Sequence, residues 1–387
     1  MSTQPIYLDY AAATPLHPEV LSVMQPFLTD KFYNPSAAYM AARGIRADIE
    51  TARAQIGHML GSRSNELIFT AGATESIDLA INGVMGHYPD GHIVTSAIEH
   101  AAVLATASSQ PHFTILGVDH HGLVDLDDIK AAITYQTTLI SIGYVNNEIG
   151  TVQHLSDISR LIKLIRRERQ ANNNSRPLYL HTDASQAAGH LDLHVSRLGV
   201  DLMTLNAAKV YGPKQVGLLY SNSQVQLTPQ LRGGGQENGQ RSGTENVAGI
   251  IGLAKALEIA ETAREADMKH LNGLRDHCTG RLLSALPDTM VNGHPKRHTP
   301  HILNLSFQGV DGERLLMELD EAGVMVATGS ACAANLDQRS HVLQALGLAN
   351  DLIDGSLRLS FGPQTTTEQI DVALDHLIQL VSTQRGK

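Results

Sequence analysis

Four short stretches of this 387-residue chain hold residues whose types and neighbours could do chemistry. The first is Gly72-Ala73-Thr74-Glu75-Ser76, directly after the apolar run ELIFT (66–70) and at the start of a helical pattern. Backbone N–H groups at a helix start, with the helix dipole behind them, attract an anion. Ala73 is small enough to let a phosphate approach, and Thr74 adds a hydroxyl. Alone, the same residues read equally as a capping threonine on a surface helix. The second stretch is His181-Thr182-Asp183-Ala184-Ser185-Gln186, at the end of PLYLHT. A carboxylate at the tip of a buried strand is costly without a partner. A protonated pyridine nitrogen is one such partner, and an Asp that caps the next helix is the plainer alternative. The third is Asn206-Ala207-Ala208-Lys209-Val210-Tyr211-Gly212-Pro213-Lys214. The run VDLMTLN delivers Lys209 to the sheet edge that also carries Asp183. A desolvated lysine has a lowered pKa and forms Schiff bases, whereas a lone lysine near a Gly-Pro turn is usually a surface charge. Phosphate turn, acid and lysine in that order are far more specific than any one of them. The fourth is Cys332 in Gly329-Ser330-Ala331-Cys332-Ala333-Ala334. A lone cysteine is most often a small buried hydrophobe, but these small neighbours suit an exposed, mobile loop. Cys278, inside a helical pattern, reads as structural.

The elements that must position these groups are legible as alternation. Short apolar runs at ELIFT (66–70), HIVTS (92–96), FTILGV (113–118), TTLISIGYV (137–145), PLYLHT (177–182), VDLMTLN (200–206) and VGLLY (216–220) are separated by helical stretches such as 73–84 and 155–167. Most of the runs lack polar alternation, as expected of strands covered on both faces. The expectation is an α/β fold with a mostly parallel seven-stranded sheet. Ligands in such sheets bind at the C-terminal ends of the strands. A long helix is predicted over 245–277. After it come HILNLSF (301–307), a helix over 311–322, VMVA (324–327), SLRLSF (356–361) and a terminal helix near 367–381, which together predict a smaller α+β domain. The large domain is expected to cover 16–260, and the small one 1–15 with 261–387.

Composition narrows the function classes. A net charge of −10 argues against nucleic acid or an anionic membrane as a direct partner. No run of about 18 apolar residues suggests a membrane span, and the first residues do not read as a signal peptide. Two cysteines and no CxxC leave no disulfide framework, so the cytoplasm is expected. The 19 histidines show no zinc spacing, and no metal is expected.

Taken together, the stretches resemble the cysteine desulfurases of the iron–sulfur-cluster and nitrogen-fixation type, which are fold-type I pyridoxal-phosphate (PLP) enzymes of the class V aminotransferase group. The resemblance runs through LDYAAATP (8–15), NPSAA (34–38), GATES (72–76), IEH (98–100), VNNEIGT (145–151), HTDASQAAG (181–189), KVYGPK (209–214), GGGQENGQRSGTENVAG (233–249), ATGSACAAN (327–335), SHVLQALGL (340–348) and LRLSFG (357–362). It implies that Lys209 carries PLP as a Schiff base and that Asp183 pairs with the pyridinium nitrogen. By the same resemblance, Gln186 bonds the ring hydroxyl and His100 stacks on the ring and shuttles protons. Ala73, Thr74 and Asn206 hold the phosphate, with Thr244 reaching in from the other subunit of a homodimer. Asn147 and Arg358 bind the carboxylate of L-cysteine, and Cys332 receives the sulfur as a persulfide. Alanine is the implied product. The implied sulfur acceptor is another protein, a cluster scaffold or a tRNA-thiolation enzyme.

The chain departs from the family at several positions. The family's Ser or Thr three residues before the lysine is Asn206, and the His immediately before it is Ala208. Tyr39 and Asn238 replace a His and an Arg, and Ala333-Ala334 follow the cysteine where Thr-Ser is usual. Ala208 cannot donate a side-chain hydrogen bond, so weaker cofactor retention is expected. A selenocysteine lyase, an aminotransferase, or a non-catalytic scaffold of the same fold remain open as alternatives at this point.

Overall fold

The computed structural model describes residues 5–329 and 339–386. Its strands, in chain order, are β1 (Ile6–Tyr7), β2 (Leu67–Thr70), β3 (His92–Ser96), β4 (Phe113–Leu116), β5 (Thr137–Ser141), β6 (Tyr179–Asp183), β7 (Leu202–Asn206), β8 (Gly217–Ser221), β9 (Thr289–Asn292), β10 (Ile302–Phe307), β11 (Val324–Met325) and β12 (Ser356–Ser360). The seven apolar runs become one seven-stranded sheet in the order β2-β8-β7-β6-β5-β3-β4. Strand β8 pairs antiparallel with both β2 and β7; the other pairs are parallel. Every residue of β3, β5 and β8 is buried, which is why those runs carry no polar alternation. The edge strand β4 exposes Phe113 and Ile115 instead.

A second apolar cluster surrounds the antiparallel sheet β12-β10-β9. The helix Val247–Ala285 spans both clusters: Leu253 and Leu257 pack with the large sheet, Leu271, Leu274 and Cys278 with the small one. This helix runs eight residues beyond its expected end. The N-terminal segment ties the two clusters together. Strand β1 pairs with β11, and Leu8 sits in the second cluster. The chain then crosses to the large sheet, where Thr14 N–H donates to Ala208 C=O at 3.2 Å. Residues 9–14 thus form a strap over the C-terminal edge of the sheet. Among the described residues, no helix is long and apolar enough to cross a membrane.

Among the elements not anticipated are two helices near the N-terminus and one strand of the small sheet. The helix Met40–Leu60 did carry a signal, with Ile45, Ile49, Ala52, Ile56 and Leu60 buried along one stripe. The helix Pro18–Leu28 buries only Val20 and Met24, too sparse a stripe to read. Strand β9 is four residues long and buries only its two ends.

Candidate active site

Lys209 and Asp183 reach one pocket because β6 and β7 are parallel neighbours ending at the same edge. Asp183 is the last residue of β6. Its Oδ1 accepts from Ser185 N–H (2.9 Å) and Ser185 Oγ–H (2.6 Å), which fixes the carboxylate. Two residues back, His181 is buried between Ser141 Oγ and Thr204 Oγ1, and burial pushes it down to about 4. Strand β7 ends at Asn206, whose Oδ1 accepts from Ala208 N–H at 3.1 Å and caps the tight turn Ala207–Lys209. That turn aims Lys209 at the strap: Nζ donates to Ala11 C=O (2.9 Å) and Ala12 C=O (2.6 Å). Thr14 holds the turn from outside, accepting from Tyr211 N–H and donating to Ala208 C=O.

The turn that opens the helix Ala73–His87 is set by two glycines. Gly72 caps the helix Ala73–His87 at φ +147°, outside the range that side chains favour. Gly217 of β8 lies so close behind that a Cβ there would overlap the Gly72 carbonyl carbon. The Gly-rich loop is tied to the same turn: Arg241 Nε donates to Glu75 Oε1 at 2.7 Å, and Glu75 accepts from Ala71 N–H. Glu237 of that loop accepts from Phe69 N–H and from the buried Arg53 fork.

The pocket encloses about 250 Å³. Its walls bring together Ala73, Thr74, His100, Asn147, Asp183, Gln186, Asn206, Lys209 and Arg358. Two further site residues are not among them, Thr244 being expected to serve the site of a second subunit. Thr244 is exposed in the loop before the helix Val247–Ala285, and Cys332 lies outside the described residues. His100 is oriented by its own helix, since its Nδ1 accepts from Ala102 N–H at 3.1 Å. The proton of its neutral ring is therefore on Nε2. Arg358, 1 % exposed, donates from Nη1 to Asn147 C=O (3.0 Å) and from Nη2 to Asp9 Oδ1 (2.6 Å). Among the described residues its Nε is buried without a partner. A buried guanidinium N–H left over in a pocket wall is a place for an anionic ligand group.

Sequence reasoning missed the strap and one acid. Asp9 and the carbonyls of Ala11 and Ala12 belong to LDYAAATP, but nothing in their types marks them as site residues. Glu99 also lines the pocket. Ser96 Oγ–H donates to it at 2.6 Å, and Gly143 N–H reaches both carboxyl oxygens at 3.0 and 2.9 Å. Burial pushes this carboxyl up to about 7, Asp183 adding to the effect and the donated hydrogen bonds opposing it. Folded Glu99 keeps its proton up to about pH 7, whereas the unfolded chain loses it near 4.5. Its ionisation therefore lowers stability as pH rises from about 4.5 to 7, by about 3 kcal/mol in all. Glu99→Gln removes that part of the slope. Thermal melting of both proteins at pH 5 and pH 8 measures it, and identical pH dependence of the two would refute the shift.

Comparison with known proteins agrees with this geometry. The family described as Aminotransferase class-V matches residues 6–373. A protein of Dictyoglomus turgidum named cysteine desulfurase IscS is 42 % identical, with 98 % of this chain and 95 % of that protein aligned. Among solved structures, a NifS-like protein superposes with a TM-score of 0.89 at 31 % identity, covering 98 % of this chain and all of the other. A structure described as SspA in complex with cysteine superposes with a TM-score of 0.78 at 32 % identity, covering 93 % of this chain and all of the other. With its sheet, strap and lysine–aspartate pocket in place, the chain belongs to the class V aminotransferase family and, within it, to the cysteine desulfurases.

Proposed function

We propose that this protein is a PLP-dependent cysteine desulfurase that converts L-cysteine to L-alanine and passes the sulfur through a persulfide on Cys332 to an acceptor protein. The observation that carries this is the convergence of Lys209, Asp183 and the N-terminus of the helix Ala73–His87 on one pocket. An amine, a carboxylate and an anion-binding helix start match the aldehyde, ring nitrogen and phosphate of PLP. The Arg358 Nε, without a partner among the described residues, suits the substrate carboxylate, with Asp9 holding the guanidinium in place.

The residues divide the work as follows. Lys209 holds the cofactor and moves the substrate α-proton, with His100 Nε2–H as the neighbouring donor. Asp183 keeps the ring nitrogen protonated, and Gln186 donates to the ring hydroxyl. Ala73, Thr74 and Asn206 bind the phosphate, and Thr244 completes that site from a second copy of the chain. Bound there, PLP supplies an electron sink that draws charge from the α-carbon. Asn147 and Arg358 orient the substrate. Cys332, as thiolate, attacks the substrate sulfur; an S–S bond forms, the C–S bond breaks, and the carbon keeps the electron pair and is protonated to alanine. No external oxidant or reductant is needed. The large domain 16–260 holds the cofactor, and the remainder carries the cysteine; the setting is the cytoplasm. Borohydride reduction followed by peptide mapping tests the assignment: the pyridoxyl group is expected on Lys209. Finding it on Lys214, whose Nζ donates to Thr14 C=O, would overturn it.

Phosphate binding carries its own expectation. Asn206 Oδ1 accepts from Ala208 N–H and an amide oxygen has no proton to donate, so only its Nδ2 can serve the phosphate, and Ala208 has no side-chain donor. A hydrogen bond to a charged group contributes about 1.5–3 kcal/mol, so Ala208→His should slow cofactor loss on dialysis by about tenfold or more. Unchanged or faster loss would show that the phosphate is held by other groups.

A further inference from the structure

Behind the pocket wall two histidines lie face to face. The rings of His190 and His301 have centroids 3.7 Å apart and planes 10° from parallel. His301 is 3 % exposed, and its Nε2 lies 3.2 Å from Gln186 Oε1. The other end of that amide, Nε2, donates to Ala11 C=O at 2.9 Å. A carbonyl only accepts, so the end of Gln186 that meets it is the NH₂, and the end that meets His301 is the oxygen. His301 must then carry its proton on Nε2. A second observation gives the same tautomer. Among the described residues Nδ1 of His301 is buried without a partner, and an unpartnered lone pair is better tolerated in an interior than an unpartnered N–H. The surroundings keep the ring neutral: burial first, then His190, Arg275 and Arg358, all hold it well below the usual histidine range. Burial likewise pushes His190 down to about 4.

We propose that His301 is a positioning residue: its Nε2–H locks the Gln186 amide so that the second N–H of Gln186 is offered to the ring oxygen of the bound cofactor, with His190 stacked on His301 to hold the ring in place. Ala11 C=O accepts from both Gln186 Nε2 and Lys209 Nζ. The amide and the amine are thereby referenced to one oxygen, and a rotation of Gln186 would move its donor relative to the lysine. Gln186 cannot be turned end for end while His301 donates, since two donors would then face each other and two acceptors would meet at Ala11. This role rests on the cofactor binding proposed above, but the tautomer does not.

Two measurements separate the two claims. Nitrogen–proton correlation spectra of histidine-labelled protein, recorded without cofactor, should show His301 neutral and protonated on Nε2 from pH 8 to pH 5. An Nδ1–H tautomer, or titration near the ordinary histidine value, overturns the proposal. The second measurement is the pH titration of the visible absorption band of the PLP-loaded protein. His301→Phe keeps an aromatic ring against His190 but removes the donor. Loss of a donor to the ring oxygen should raise the apparent pKa of the band by about one unit, a tenfold change in proton affinity. His301→Gln, whose Nε2–H reaches the position of the histidine Nε2–H, should reverse most of that shift. A His301→Phe protein that folds, by its melting temperature, and titrates as wild type refutes the role. If His301→Phe does not fold, the tautomer spectrum of the wild type decides. Wild-type protein that takes up no PLP contradicts the proposed function instead, and the tautomer measurement still decides on His301.

Discussion

Replacing Lys209 by alanine is expected to lower alanine production from L-cysteine by on the order of 10³-fold or more, the scale of a lost proton-transfer group. PLP should still enter the protein, because Asp183, Asn206 and the helix start Ala73–Thr74 remain in the pocket. It should no longer be fixed by borohydride. The fold should survive, since Lys209 is only partly buried, and Asn206 and Thr14 hold its turn from their own positions. Absorbance after gel filtration and alanine release measured by chromatography read the two effects separately. A Lys209→Ala protein that turns over at the wild-type rate would remove the lysine from the mechanism.

Cys332→Ser is expected to lose activity on a similar scale while keeping the spectral change on adding L-cysteine, which belongs to Lys209 and the cofactor. The reason lies partly in the other cysteine. Cys278 is fully buried in the helix Val247–Ala285, and burial pushes its thiol up to about 12. At neutral pH it supplies almost no thiolate, and the thiolate is the nucleophile. Cys332 is the remaining cysteine of the chain. Cys278→Ser should therefore stay active, with about 1–3 kcal/mol less stability for a hydroxyl placed in an apolar cluster. Activity in Cys332→Ser equal to wild type, without added thiol, would exclude the sulfur-transfer step proposed here.

The parts of this molecule that could be read from the sequence are those whose local chemistry states their place. Each strand of the large sheet was an apolar-rich run between turn signals, and β3, β5 and β8 lack polar alternation because they are buried throughout. Asp183 and Lys209 could be paired because each follows within three residues of the end of such a run. The helix Val247–Ala285 was legible up to 277, but none of its residues from 261 to 270 is buried and its second half serves a different core, so its end was misplaced by eight residues. The strap was not legible. Ala11 and Ala12 act through backbone carbonyls, which any residue could supply, and Asp9 meets Arg358 across 349 positions of sequence. Glu99 and His301 were missed for the same reason: their roles come from burial and from partners distant in the chain, Gly143 for the one and Gln186 for the other.

The most direct test of the whole account is a single turnover. Protein loaded with PLP is mixed with one equivalent of L-cysteine and no acceptor, then alkylated, digested and analysed by mass spectrometry, with alanine measured in parallel. The prediction is one alanine released for each sulfur atom gained, with that sulfur on the peptide containing Cys332 and none on the peptide containing Cys278. Alanine formed with the Cys332 peptide unmodified, or sulfur carried by Cys278, would contradict it.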